Sequence, residues 1–205
     1  MRMTVSWTKH RFSGGLLALD TTNTVVLRGD QANSFDRFED TSEIARFAAA
    51  AEGFRYAELG GRRLFFQASD TAARQVVALR EAADQLFREA VAAGEIRTAC
   101  LPGFLRACAG CLDESDERVG ADGMPFGDPS RPIRFEAALA VSALSLLAGD
   151  AWKKVKICRN CRWLFIDRSR NSSRLWCDMS VCGNRHKAKR HYERRKQAES
   201  EAVYA

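Results

Sequence analysis

The sequence predicts an α+β fold: a mainly helical body with a small antiparallel sheet over residues 1–150, followed by a compact cysteine-bearing module over residues 151–205. Three observations carry this prediction. Apolar residues recur at helical spacing through residues 71–93, aromatic residues flank Gly60-Gly61, and four of the seven cysteines fall as two pairs in one C-terminal window. A chain of 205 residues has room for one medium domain and a small appendage.

Each element follows from local signals. The stretch GLLALDTTNTVV reads as a short helix, with a strand nearly as favourable given its Thr and Val content. Asp40 and Glu43 have capping-box spacing, and Ile44, Phe47, Ala48 and Ala51 follow at helical intervals, which predicts a helix over residues 41–51. In FRYAELGGRRLFF the aromatic residues on both sides of the paired glycines predict a β-hairpin. The longest helix is predicted over residues 71–93, capped by Ser69 or Asp70 and stopped by Gly94, with Val76, Leu79, Ala83, Leu86, Phe87 and Ala90 forming its apolar stripe. From Pro102 to Pro132 all four prolines, with Gly120, Gly123 and Gly127, predict turns or short strands. A second stripe at Phe135, Leu139, Ser142, Ala143, Leu146 and Leu147 ends at Gly149, and Gly149 with Asp150 is the predicted domain boundary.

Composition narrows the setting. No stretch approaches the ~20 apolar residues of a membrane span, and Asp20 interrupts the run from Leu16 to Leu19. The apolar run after Lys9 and Arg11 is too short for a secretory h-region, so a cytoplasmic protein without a membrane partner is expected. In a reducing compartment, closely spaced thiols point to a metal rather than to disulfides.

Cys158 and Cys161 have the C-x2-C spacing of a zinc knuckle, and Cys177 and Cys182 supply a second pair. Two close pairs deliver the four soft ligands that one tetrahedral zinc ion requires. Such a site is structural, because four protein ligands leave no open position for water or substrate. His186 and His191 follow closely and are the alternative ligands. The intervening RWLFIDRSRNSSRLW reads as a hairpin with Asn171, Ser172 and Ser173 near its tip, and Trp163, Phe165 and Trp176 as the small core. A module of this size buries too little apolar surface to fold alone, whereas structural zinc contributes ~10 to 16 kcal/mol of apparent binding energy.

Charge separates the two parts. Residues 1–152 carry 17 Lys and Arg against 21 Asp and Glu, whereas residues 153–197 carry 15 against 3. A helix is predicted from Val181 to about Gln197, with Val181, Ala188 and Tyr192 toward the zinc core and His186, Lys187, Lys189, Arg190 and Arg194 outward. Basic helices also contact acidic proteins and membranes, but a rigid scaffold rich in Arg favours phosphate backbones. Nucleic-acid binding, with DNA as the partner, is therefore the expected function. Lys187, Arg190 and Arg194 would follow a phosphate row, and Asn184 and Arg185, at the helix start, would reach base edges or else cap the helix. A protein-interaction adaptor docking an acidic partner and an RNA-binding protein are the alternatives.

The run C-x2-C, W-L-F-I-D, S-R-N, R-L-W-C-D-M and C-G-N-R-x-K-A resembles the CGNR zinc finger family. That resemblance implies a treble-clef fold, zinc ligands at Cys158, Cys161, Cys177 and Cys182, and a signature at Gly183, Asn184 and Arg185. The N-terminal L-A-L-D-T-T-N-T, on Leu19, Asp20, Asn23 and Thr24, resembles the opening of the ABATE domain that accompanies this finger in bacterial proteins. Together these imply a bacterial stress-induced transcription regulator. The hairpin FRYAELGGRRLFF matches no motif of that family.

The remaining polar residues divide between two roles. Asp20 and Asn23 would share a helix face and could line a ligand pocket, through which the body senses a small molecule or a protein, or could form a cap or buried hydrogen-bond pair. Cys108 and Cys111, with Cys100 nearby, have redox spacing but lack a surrounding βαβ pattern, so buried structural thiols are expected. The acidic run Asp113, Glu114, Asp116 and Glu117 reads as a solvated loop. No nucleophile motif, phosphate-binding glycine loop or HExxH is present, and no enzymatic activity is expected.

Overall fold

Apolar periodicity and capping place most of the helices, and long-range strand pairing places the rest. The computed structural model describes residues 5–113, 126, 128–148 and 151–203, with side chains as far as residue 197. The expected boundary at Gly149 and Asp150, the acidic residues Glu114, Asp116 and Glu117, and Gly120, Gly123 and Gly127 lie outside the described residues.

The chain opens with a 3-10 turn at Lys9–Phe12 and helix α1 at Leu17–Thr22, all of whose residues are buried. Strand β1, Val25–Val26, then pairs antiparallel with β2, Phe35–Asp36, so GLLALDTTNTVV holds a helix and a strand in succession. Helix α2, Ser42–Phe54, runs beyond the expected end at Ala51. The expected capping box does not form. Asp40 does accept from Ser42 N at 3.0 Å, but Glu43 turns away to accept from Trp7 Nε1 at 2.9 Å and Val5 N at 3.2 Å.

The hairpin expectation around Gly60-Gly61 is corrected. Both glycines have positive φ, 60° and 82°, and make a turn, but Phe54 on one side still belongs to α2 and stacks on Phe12 at 4.5 Å. On the other side β3, Leu64–Phe65, pairs in parallel with β4, Ile133–Arg134. Parallel pairing between segments so far apart leaves no short-range signature.

Helix α3, Asp70–Ala93, matches its local signals closely. Ser69 Oγ accepts from Ala72 N at 3.1 Å, and Gly94, at φ 75°, closes the other end by donating to Ala90 O at 2.8 Å. Residues expected to be irregular after Pro102 instead form α4, Leu101–Leu112. Proline in a first helical turn loses no intrahelical bond, and Phe104, Cys108 and Cys111 give α4 a buried face. Helix α5, Phe135–Ser145, is not amphipathic: every residue from Phe135 to Ala143 is buried, which makes it the central helix of the body.

Strands β5, Val155–Ile157, and β6, Leu164–Ile166, form an antiparallel pair, and α6, Asn184–Val203, ends the fold. Side chains of β6 alternate between two cores, as the period of a strand requires. Leu164 and Ile166 join the main cluster with Leu17, Leu79, Phe87 and Phe135, while Phe165 joins a separate small cluster with Trp163, Cys158, Cys177 and Cys182. Trp163, Phe165 and Trp176 thus supply the small core as expected.

Candidate metal centre

The first pair of cysteines sits in the tight connection between β5 and β6. Cys158 N donates to Trp163 O at 2.8 Å and Arg162 N to Cys158 O at 3.0 Å, which folds the connection back, with Arg162 in the left-handed region at φ 63°. Backbone bonding of this kind gives a knuckle that presents both sulfurs on one side.

The second pair is brought in by a loop and a turn. The hairpin expected between Arg162 and Trp176 is corrected: β6 pairs with β5, which precedes the knuckle, and the chain after β6 winds around a buried carboxylate instead. Asp167 Oδ1 accepts from Ser169 N at 2.9 Å and Ser169 Oγ at 2.6 Å, and Oδ2 from Lys156 Nζ at 2.8 Å and Arg174 N at 2.9 Å. Burial raises the Asp167 pKa, but these donors outweigh it and hold the carboxyl below its usual range. Arg159 N then donates to Leu175 O at 3.0 Å, tying the knuckle to the segment that carries Cys177. Asp178 Oδ1 caps the π-helical turn Met179–Gly183 through Ser180 N at 2.8 Å and Val181 N at 3.2 Å, which places Cys182 beside Cys177.

The four sulfurs of Cys158, Cys161, Cys177 and Cys182 lie within 4.8 Å of one another. Cys161 to Cys177 is 3.6 Å and Cys177 to Cys182 is 3.8 Å. A tetrahedron with Zn–S bonds of ~2.3 Å has edges of ~3.8 Å, so the donor set fits one zinc ion in number, chemistry and spacing. Among the described residues no histidine joins the group: His186 lies against Trp176, 5.5 Å between ring centroids, and His191 is exposed. The geometry defines a closed, structural zinc-finger site. Residues 154–195 match the family model of the CGNR zinc finger. No curated protein matches the chain.

One participant left no sequence signal. His10 Nδ1 lies 3.0 Å from Asp178 Oδ2 and its ring stacks on Trp163 at 5.2 Å, so the N-terminal 3-10 turn closes over the finger. Nothing in the spacing of residues 168 apart could have paired them.

Asp20 and Asn23 are both buried at the junction of body and finger, and their side chains are engaged there. Asp20 Oδ1 accepts from Gly14 N at 2.8 Å and Oδ2 from Arg55 Nε, while burial pushes its pKa up to about 6. Gly14 O in turn accepts from Ile166 N at 2.8 Å. Gly15 has φ 92°, and a Cβ there would stand 2.6 Å from the Ile166 methyl, so glycine is required where the loop meets β6. Asn23 Nδ2 donates to Leu164 O at 2.8 Å and its Oδ1 accepts from Leu164 N at 2.9 Å.

Helix α6 leaves the finger after its first turn. Val181 is half-buried, but Ala188 and Tyr192, expected to face the zinc core, are exposed, Tyr192 by 69%. Apart from His186, every side chain from Asn184 to Gln197 is exposed, including Arg185, Lys187, Lys189, Arg190 and Arg194. Asn184 Nδ2 donates to Ser180 O at 2.9 Å, and a Cβ on Gly183 would meet the Met179 sulfur at 3.0 Å. Gly183 and Asn184 therefore shape the turn. Arg185 projects free of it.

Cys108 and Cys111 lie buried on α4, where desolvation pushes both thiols up to about 12, far from the range of a reactive thiolate. Cys100 donates to Glu89 Oε2 at 3.0 Å.

Proposed function

We propose that this protein is a DNA-binding transcription regulator that works without catalysis in the cytoplasm, residues 151–205 gripping duplex DNA and residues 1–150 sensing a ligand or partner. The supporting observation is α6: from Asn184 to Gln197 it carries seven Lys and Arg against one Glu, and its described side chains are almost all exposed. A helix whose described apolar residues, Ala188 and Tyr192, both stand exposed is not packed on its own body. At 20 residues it spans ~30 Å, a little under the ~34 Å of one turn of duplex DNA. The zinc site roots this rod, and the knuckle in a β-turn followed by a ligand at a helix start supports a treble-clef arrangement. The match of residues 154–195 to the CGNR zinc finger supports the same reading, and the motif at Leu19, Asp20, Asn23 and Thr24 supports an ABATE-type body and a role in the stress response.

In this reading Lys187, Lys189, Arg190 and Arg194 contact phosphates and Arg185 reaches a base edge, while Asn184 holds the helix start. Fluorescence anisotropy with labelled duplexes, titrated at several salt concentrations, tests it. Lys187→Ala and Arg190→Ala should each weaken binding to every duplex and reduce the slope of log affinity against log salt by ~0.9. Arg185→Ala should cost ~1 to 3 kcal/mol at one sequence position, with thermal stability unchanged. If the folded, zinc-loaded protein binds neither duplex nor single strand in a salt-dependent way, the basic helix docks an acidic protein instead.

A further inference from the structure

A cavity of about 460 Å3 lies between the start of α3, the end of α4 and the start of α5, with Gln67, Thr71, Gln75, Asp113, Arg134 and Glu136 in its wall. It shares no residue with the zinc site or with the junction at Asp20 and Asn23.

Two polar atoms in this wall are left over. Glu136 is 3% exposed, and its Oε2 has no hydrogen-bond partner among the described residues. Arg134 Nε is buried and equally without a hydrogen-bond partner; it forms only a long ion pair, 3.5 Å, with the other carboxylate oxygen, Glu136 Oε1. Arg134 Nη2 is spent on the Asp113 carbonyl at 2.9 Å. Native proteins rarely leave a buried carboxylate oxygen without a hydrogen bond, and when one lines a cavity the missing donor is naturally supplied by what the cavity binds.

We propose that this cavity binds a small zwitterion of the free α-amino-acid class, its ammonium on Glu136 and its carboxylate on Arg134. The orphan acceptor and the orphan donor sit side by side, and an α-amino acid carries its donor and acceptor groups on one carbon. Two carboxylates, Asp113 and Glu136, face one guanidinium in the wall, so the site admits a cationic group and repels a net anion. A divalent metal is not favoured, because among the described residues the cysteine quartet is the one set of candidate ligands that converges. Gln67 and Gln75 remain to meet the side chain of the amino acid.

Binding at this site does not depend on whether α6 holds DNA, so the two readings fail separately. The test is isothermal titration of full-length, zinc-loaded protein, without DNA, with each of the twenty amino acids at millimolar concentration, and with glycine betaine and glycerol as controls. At least one amino acid should bind saturably and the controls should not. For the tightest binder, the N-acetyl derivative and the carboxamide should each lose ~10-fold or more in affinity, since each removes one charge-assisted contact. Glu136→Gln should lose a similar factor while keeping its zinc and its melting temperature. Should that variant misfold, Gln67→Ala on the exposed rim should still shift selectivity among the amino acids. Absence of saturable binding by all twenty, or equal affinity for the acetylated compound, overturns the proposal and leaves a water-filled cavity.

Discussion

Replacing Asn23 by alanine tests whether body and finger are one folding unit. The Asn23 carboxamide meets Leu164 N and Leu164 O at 2.9 and 2.8 Å, pairing the free edge of β6 as a neighbouring peptide group would. Asn23 is 2% exposed and Leu164 fully buried, so water cannot replace the lost partner without opening the junction. Each buried backbone group left unsatisfied costs ~1 to 3 kcal/mol, which makes the expected loss for the two about 2 to 6 kcal/mol. That is a large share of the ~5 to 15 kcal/mol stability of an ordinary domain. Urea unfolding of the zinc-loaded protein, followed both by helical circular dichroism and by tryptophan fluorescence, measures it. The midpoint should fall for both probes together, and zinc should pass to a chromogenic chelator faster. A loss below ~1 kcal/mol, or a shift confined to the fluorescence signal, would refute the claim that Asn23 couples the two parts.

Other outcomes follow from the same geometry. Purified protein should carry one zinc by elemental analysis, and Cys158→Ser should release it; because Val155, Leu164 and Ile166 belong to the main core, the body should lose thermal stability as well. Glu58 accepts from Leu17 N at 2.8 Å and from Ser142 Oγ at 2.6 Å, and burial pushes its pKa from 4.5 up to about 7. A carboxyl whose folded pKa is raised binds more protons folded than unfolded, so its contribution is full below pH ~4.5 and lost as pH rises through ~7, about 3 kcal/mol in all. Glu58→Gln should therefore flatten the fall in stability over that window, as read from urea midpoints; an unchanged slope would place the titration elsewhere. Cys108 and Cys111 should resist iodoacetamide at neutral pH in the folded state, and Cys108→Ala with Cys111→Ala should leave zinc content and nucleic-acid affinity unaltered; rapid alkylation would restore a redox role.

Legibility in the sequence tracked the range of the interactions concerned. Helix α3 was readable from Ser69 to Gly94 because its cap, stripe and stop all act within a few residues of one another. The four cysteines were readable because zinc imposes its spacing on short segments. Pro102 misled because proline breaks a helix only in its interior, and here it stands in the first turn. The paired glycines before Leu64 misled because the partner of that strand is Ile133, not a neighbour across a turn. Val181, Ala188 and Tyr192 have the spacing of a packed face, yet periodicity states which residues share a side and not whether anything lies against it. His10, closing over the finger from the other end of the chain, was beyond any local rule.

The alternation along β6 has a consequence for length. Leu164 and Ile166 serve one core and Phe165 the other, so inserting or deleting a single residue there would exchange the two sets and place an aromatic ring where the body expects aliphatic side chains. The segment from Trp163 to Asp167 therefore cannot absorb indels, whereas exposed positions such as Asn171 to Ser173 can. Homologues that share this architecture should vary in length in that loop and hold the strand constant, and the finger could be grafted onto another scaffold only together with a surface that receives Leu164 and Ile166.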